Sequence, residues 1–270
     1  MSPFIEKMSN VVQKNNSLIC IGLDPDPDKF PEHIKGTEHD IITFNRAIIE
    51  QTSDLACAYK LNMAFYEVQG PRGLEALEAT MHAIPEDVVI IGDAKRGDIG
   101  NTARMYAKSL FEYYRFDAVT VNPYQGSDAI QPFLDYKDHG VFVLCLTSNP
   151  SASEFQLLDT ADGQSVYLKV AQAANGWNKN GNVGLVVGAT NAESLGDIRA
   201  VVGDMPLLVP GIGAQGGDLN MVMEHGLNNR REGVLVNSSR GVLYASSGVD
   251  FADAARRAAD SLREQINSLR

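Results

Sequence analysis

The sequence predicts an α/β fold, a single (β/α)8 TIM barrel spanning residues 1–270 as one domain, and three observations carry that prediction. Eight short, β-branched, apolar runs recur at fairly even intervals along the 270 residues. Each run is nearly continuous rather than alternating, the pattern of strands buried on both faces. Stretches of helical period separate them, so strand and helix alternate from end to end.

In chain order the candidate strands are Leu18 to Leu23, Ala56 to Leu61, Val88 to Gly92, Ala118 to Val121, Val141 to Leu146, Val183 to Gly188, Pro206 to Val209 and Gly233 to Val236. An early helix at Phe4 to Gln13 would close the bottom of the barrel. Asp40 to Asp54 places Ile42, Asn45-Arg46, Ile49 and Ser53 on turning faces, and Gly73 to Ile84 offers Leu74, Leu77 and Met81. Asn101 to Tyr114 offers Ala103, Tyr106-Ala107, Leu110 and Tyr114, and Ser165 to Trp177 offers Val166, Val170 and Ala173-Ala174. Asn191 to Val202, Leu219 to His225 and Phe251 to Leu269 complete the set. Two irregular stretches, Asp24 to Thr37 with its three prolines and Thr147 to Gly163, both follow strands. In a barrel of this kind they belong to the face that builds the site. A doubly wound open sheet is the structural alternative, but no Gly-x-Gly-x-x-Gly follows the first strand.

Composition narrows the function classes. A net charge of −11 without a Lys/Arg-rich run argues against holding nucleic acid or an anionic membrane by bulk electrostatics. The start, Met1-Ser2-Pro3-Phe4-Ile5-Glu6-Lys7, lacks a charged-then-apolar leader pattern, and no apolar stretch approaches bilayer length, so a cytoplasmic location is expected. Cys20, Cys57 and Cys145 sit inside apolar runs without Cys-x-x-Cys spacing and read as reduced packing residues. His33, His39, His82, His139 and His225 lie away from the strand C-terminal ends and share no metal-ligand spacing. Trp177, near a helix end, reads as a packing residue.

The strand C-terminal ends collect a polar set. Asp24 follows the first strand, Lys60 and Asn62 mark the second, and Asn122 follows the fourth. Thr147-Ser148-Asn149 follow the fifth, Gln215 the seventh and Ser239-Arg240-Gly241 the eighth. After the third strand, Gly92-Asp93-Ala94-Lys95-Arg96-Gly97-Asp98-Ile99 forms a strand-end loop with acidic and basic groups, Asp93 and Lys95 sharing a face by strand alternation. Asp98 stands at the next helix start, where it could equally serve as an N-cap with Lys95 as its solvated neighbour. Lys60 interrupts an apolar run and needs a partner, and Asp93 on the adjacent strand is the nearest candidate. A structural ion pair and a Schiff-base lysine of an aldolase stay open for Lys60. The segments Pro210 to Gly217 and Asn237 to Gly241 are small and flexible and lead into helix starts, which suits phosphate binding with Arg240 as a charged contact. Tight packing is the other use of such glycines.

Asp93-Ala94-Lys95-Arg96-Gly97-Asp98-Ile99-Gly100-Asn101-Thr102-Ala103 resembles the signature of the orotidine 5′-phosphate decarboxylase family in its longer subgroup. Gly22-Leu23-Asp24-Pro25, Lys60-Leu61-Asn62, the Pro210 to Gly217 loop and Ser239-Arg240-Gly241 extend the likeness over nearly the whole chain. The resemblance implies decarboxylation of orotidine 5′-monophosphate to UMP and carbon dioxide in de novo pyrimidine biosynthesis, without metal or organic cofactor. It maps a Lys-Asp-Lys-Asp catalytic array onto Lys60, Asp93, Lys95 and Asp98, with Lys95 as the proton donor. It implies substrate contacts by Asp24 with Lys60 at the ribose, Ser148 at the pyrimidine edge, and Gln215, Arg240 and Gly241 around the phosphate. Asp98 and Thr102 would reach a neighbouring subunit's site, which implies a homodimer. The motif around Thr147-Ser148-Asn149-Pro150 departs from the shorter subgroup's pattern. Magnesium-dependent sugar-phosphate decarboxylases and synthases of the same superfamily, and a non-catalytic phosphate-ligand barrel, are the alternatives.

Overall fold

A computed structural model describes residues 2–212 and 217–270, the side chains of 191 and 192 excepted. Among the described residues, eight strands form a closed barrel in sequence order: β1 (Ile19–Gly22), β2 (Ala58–Asn62), β3 (Val89–Arg96), β4 (Ala118–Val121), β5 (Gly140–Leu146), β6 (Val183–Val187), β7 (Leu207–Pro210) and β8 (Val234–Ser238). The α-helices are α1 (Pro3–Asn15), α2 (Asp40–Thr52), α3 (Met63–Glu67), α4 (Gly70–Ala83), α5 (Gly100–Lys108), α6 (Ser127–Leu134), α7 (Val166–Trp177), α8 (Ala192–Val202), α9 (Leu219–Gly226), α10 (Arg240–Leu243) and α11 (Phe251–Ser268). Among the described residues no helix is long and apolar enough to cross a membrane. The chain divides into two compact units, and β3 runs through the boundary after Ala94.

One unit comprises Lys7–Ala94 and Asn237–Ser268. Its parallel register sets Gly22 beside Lys60, Lys60 beside Ile91, and Asn62 beside Asp93. The face α2 buries is Ile41, Phe44, Ile48 and Thr52 with Asn45 and Ile49, so of the positions expected from the sequence Asn45 and Ile49 are buried and the rest are corrected. Arg46 is exposed, while Ile42 and Ser53 are half-buried. The reason is Phe44, whose ring stacks on Phe30 (4.3 Å between centroids), Phe251 (5.2 Å) and Tyr244 (5.9 Å) and fixes the helix rotation.

The other unit comprises Met1–Glu6, Lys95–Val236 and Leu269–Arg270. Here Ala118 pairs with Gly140, Val141 with Val183, and Leu185 with Leu207. Phe4 meets Phe142 edge-on at 6.0 Å and lies against Gly140, where a Cβ would fall 2.6 Å from its ring. The start of α1 thus covers the N-terminal end of β5, as expected for a helix closing the bottom. The stretch read as one helix over Asn101 to Tyr114 is α5 followed by a single π turn, Ser109–Tyr113. α6 is absent from the amphipathic stretches named above. It has eight residues with Pro132 inside, and its existence depends on burying Ala129, Ile130, Phe133 and Leu134.

Candidate active site

The cluster begins with Lys60, in the middle of β2. Its side chain is 6% exposed, and Nζ lies 2.9 Å from Asp93 Oδ2 and 3.8 Å from Asp24 Oδ1. Burial by itself would push this amine toward the neutral form. The charges of Asp93 and Asp24 and the hydrogen bond to Asp93 outweigh burial, and the Lys60 pKa is raised above its ordinary value. An ammonium is therefore fixed at the C-terminal ends of β1 to β3, held by two carboxyl groups. The pairing of Lys60 with Asp93 expected from the sequence is present, and Asp24 joins them. Asp24 Oδ1 is buried and has no hydrogen-bond partner among the described residues. An acceptor in that condition fits a ligand hydroxyl.

Gly22 explains how other polar groups approach this cluster. A Cβ there would fall 1.9 Å from Ser239 Oγ and 3.3 Å from Asn237 Oδ1, so a glycine at this position leaves room for the Asn237 and Ser239 side chains over β1. Asn237 is 6% exposed, and its Oδ1 has no partner among the described residues. Asn237, expected only as the first residue of the phosphate-binding segment, belongs beside this cluster, and an asparagine ending the apolar run Val234-Leu235-Val236 carries the same signal as Lys60. Arg240 and Gly241, at the start of α10, are exposed.

Beyond Asp93 the structure corrects the sequence expectation. Val88 to Gly92 followed by a loop is in fact a strand reaching Arg96, so Asp93 and Lys95 are strand residues. Long-range bonds extend it: Lys95 N donates to Thr120 Oγ1 (2.9 Å) and Asn122 N to Arg96 O (2.8 Å). Lys95 has φ +47°, a left-handed conformation uncommon for a residue with a side chain, so strand alternation does not carry across it. Asp93 is buried and Lys95 exposed. Gly97 permits the turn that follows, since a Cβ would fall 2.9 Å from Asn122 O.

The remaining expected site residues lie as follows. Asp98 is half-buried and accepts from Ile99 N (2.8 Å), ahead of α5. Thr102 is exposed on α5. Ser148 sits so close to Gly188 that a Cβ there would fall 2.7 Å from Ser148 N, and Gln156 braces the neighbouring Thr147 by accepting from its N–H (2.7 Å). Gln215 lies outside the described residues. Asn62 and Asn122 cap helical turns, accepting from Ala64 N (3.2 Å) and Tyr124 N (3.0 Å). All three cysteines are buried thiols outside any disulfide among the described residues, and burial pushes the Cys20 and Cys145 thiols up to about 12, which suits packing rather than nucleophilic chemistry. Among the described residues no group of three or more His, Cys, Asp or Glu is placed to hold a metal ion.

The chain is similar to known proteins over nearly its whole length. Residues 17–256 match the model of the orotidine 5′-phosphate decarboxylase / HUMPS family. The orotidine 5′-phosphate decarboxylase of Ralstonia pickettii (strain 12J) is 50% identical over 269 residues, covering 99% of both chains. That of Dechloromonas aromatica (strain RCB) is 48% identical over 269 residues, again covering 99% of each. The solved structure of Leishmania donovani OMP decarboxylase superposes with a TM-score of 0.88 at 40% identity, over 100% of this chain and 99% of that one. With the barrel closed in sequence order and a buried lysine between two aspartates at the strand ends, these matches place the chain: it belongs to the orotidine 5′-phosphate decarboxylase / HUMPS family.

Proposed function

We propose that this chain decarboxylates orotidine 5′-monophosphate to UMP in de novo pyrimidine synthesis, using its own side chains and no metal ion or organic cofactor. The observation that carries the reading is the buried Asp24–Lys60–Asp93 cluster, with one carboxylate oxygen, Asp24 Oδ1, lacking a hydrogen-bond partner among the described residues, on the scaffold of this family. In the reaction the bond from C6 to its carboxylate breaks, carbon dioxide leaves, and the electron pair stays on C6 until a proton arrives. A pyrimidine ring offers that pair no good resting place, so fixed positive charge must stabilise it. Lys95 takes this role and gives its proton to C6. Asp93 holds Lys60 and faces the departing carboxylate, where charge repulsion and lysine orientation are both available to it. Asp24 and Lys60 bind the ribose hydroxyls, Ser148 the pyrimidine edge, and Gln215, Arg240 and Gly241 the phosphate. Binding energy gathered at the phosphate, remote from C6, is available to lower the barrier. The left-handed backbone at Lys95 supports an assigned function for that residue, because such conformations persist where the surroundings over-determine them.

Asp98 and Thr102 are assigned to a neighbouring subunit's site, which makes the working form a homodimer. The single-domain barrel over residues 1–270 and the cytoplasmic location belong to the same proposal. The test mixes purified, chelator-treated protein with orotidine 5′-monophosphate and follows loss of the orotate-ring absorbance. Sustained turnover is the expected outcome. Absence of turnover from folded protein, with activity on sugar phosphates after adding magnesium, would transfer the chain to the magnesium-dependent branch. Nucleotide binding without turnover on any of these would leave a non-catalytic barrel.

A further inference from the structure

We infer that Tyr66 and Tyr244 are positioning residues, whose hydroxyls clamp the main chain beyond β1 and thereby aim the Asp24 carboxylate. The inference rests on the reading of Asp24 as a substrate contact and adds what holds it there. β1 ends at Gly22, and Asp24 lies beyond it, where the strand ladder no longer fixes the backbone. Its Oδ1 has no hydrogen-bond partner among the described residues and stands 3.8 Å from Lys60 Nζ, so that oxygen does little to anchor the residue. Anchoring comes through the backbone instead. Leu23 N donates to Lys60 O (2.9 Å), and Leu23 O accepts from the Tyr66 hydroxyl (3.0 Å). Asp24 O accepts from the Tyr244 hydroxyl (3.0 Å), which in turn accepts from Asp26 N (2.7 Å). One hydroxyl of Tyr244 therefore ties together the two residues flanking Pro25.

Both rings are themselves fixed. Tyr66 is fully buried on α3, and its oxygen accepts from Asn45 Nδ2 (3.1 Å), a group that also donates to Thr80 Oγ1 (2.9 Å). Tyr244 stacks on Phe44, which stacks on Phe30 and Phe251. The clamp thus connects α2, α3, α4 and the chain after α10 to one loop. A misplacement of a binding group by a fraction of an ångström is enough to cost rate. Tyr244→Phe removes the donor and acceptor at Asp24 and Asp26 but keeps the stacked ring, and Tyr66→Phe does the same at Leu23.

The experiment is a double-substitution cycle read in steady-state decarboxylation, with each variant's unfolding midpoint measured beside it. Tyr244→Phe is expected to lower kcat/KM by about tenfold, mostly through KM, while remaining folded. In an Asp24→Asn background the same change is expected to alter kcat/KM by less than about twofold, because there is no longer a carboxylate to aim. Tyr66→Phe, made separately, is expected to show the same non-additivity. Wild-type kinetics in both tyrosine variants, or losses that multiply with Asp24→Asn, would overturn the clamp while leaving Asp24 as a substrate contact. An Asp24→Asn single variant with unaltered kcat/KM would overturn both the role of Asp24 and the clamp, with the decarboxylase reading intact as long as the unsubstituted protein turns over.

Discussion

Lys60 illustrates how one residue sets the terms for its surroundings. A buried ammonium is costly without partners, and Asp93 at 2.9 Å and Asp24 at 3.8 Å are what keep it charged. Lys60→Met is expected to leave two buried carboxyl groups facing an apolar side chain, to destabilise the protein by roughly 3 kcal/mol in urea unfolding, and to abolish decarboxylation. A stabilising effect would mean that the cluster relaxes or protonates at little cost. The pH dependence follows from the raised Lys60 pKa. A group whose folded pKa exceeds its unfolded value of 10.5 stabilises fully below that value and loses the contribution as pH rises through the folded one. The urea midpoint is therefore expected to owe no change to Lys60 between about pH 6 and 9 and to fall above about 10.5, with a smaller alkaline fall in Lys60→Met.

At the scale of elements, the loops between strands and helices are fixed by side chains that cap or bridge main-chain groups. Arg199 on α8 is the clearest case. It donates from Nε and Nη2 to Gly226 O (2.9 and 2.6 Å), from Nη1 to Gly203 O (2.6 Å) and Met205 O (2.7 Å), and from Nη2 to Gly233 O (2.9 Å). Burial depresses its pKa to about 10, within the range where it stays charged at neutral pH. The planar guanidinium reaches the ends of α8 and α9 and the approaches to β7 and β8 together, a geometry a lysine cannot reproduce. Arg199→Met and Arg199→Lys are both expected to lower stability by about 2–4 kcal/mol. Decarboxylation by the fraction that remains folded is expected to be unchanged, since this network lies among the loops entering strands. Thermal unfolding followed beside kcat/KM checks it, and a loss of kcat/KM in folded protein would place Arg199 in the catalytic machinery instead.

At the scale of the whole molecule, the proposed sharing of Asp98 across subunits has a quantitative consequence. Lys95→Ala and Asp98→Ala homodimers are each expected to be nearly inactive, Lys95→Ala with nucleotide affinity retained. If a site takes Lys95 from one subunit and Asp98 from the other, a mixed dimer carries one intact site and one doubly defective site. Equal amounts of the two variants, dissociated and reassociated at random, are then expected to recover about a quarter of wild-type activity. No recovery, with mixed dimers demonstrated by mass, would assign Lys95 and Asp98 to the same subunit's site. The exposed Met105, Tyr106 and Tyr113, on α5 and the π turn after it, lie on the segment that also carries Thr102.

The alternation of eight strands with helices is legible in the residues alone, because strands buried on both faces must be continuously apolar and the helices between them amphipathic. Equally legible is that Lys60 needs a partner, with Asp93 the nearest candidate, because an ammonium in an apolar strand is not tolerated alone. Contacts between distant segments decided the rest. β3 runs to Arg96 because Thr120 and Asn122 engage its backbone, and the left-handed φ of Lys95 breaks an alternation that local reasoning assumes. α6 forms around Pro132 because tertiary burial outweighs a weak local preference. Asp24 is aimed by hydroxyls from Tyr66 and Tyr244, the latter 220 residues away in the chain. Periodicity and composition record what a residue needs, namely burial or a partner. Which residue supplies it depends on chain segments that meet only once the fold has closed.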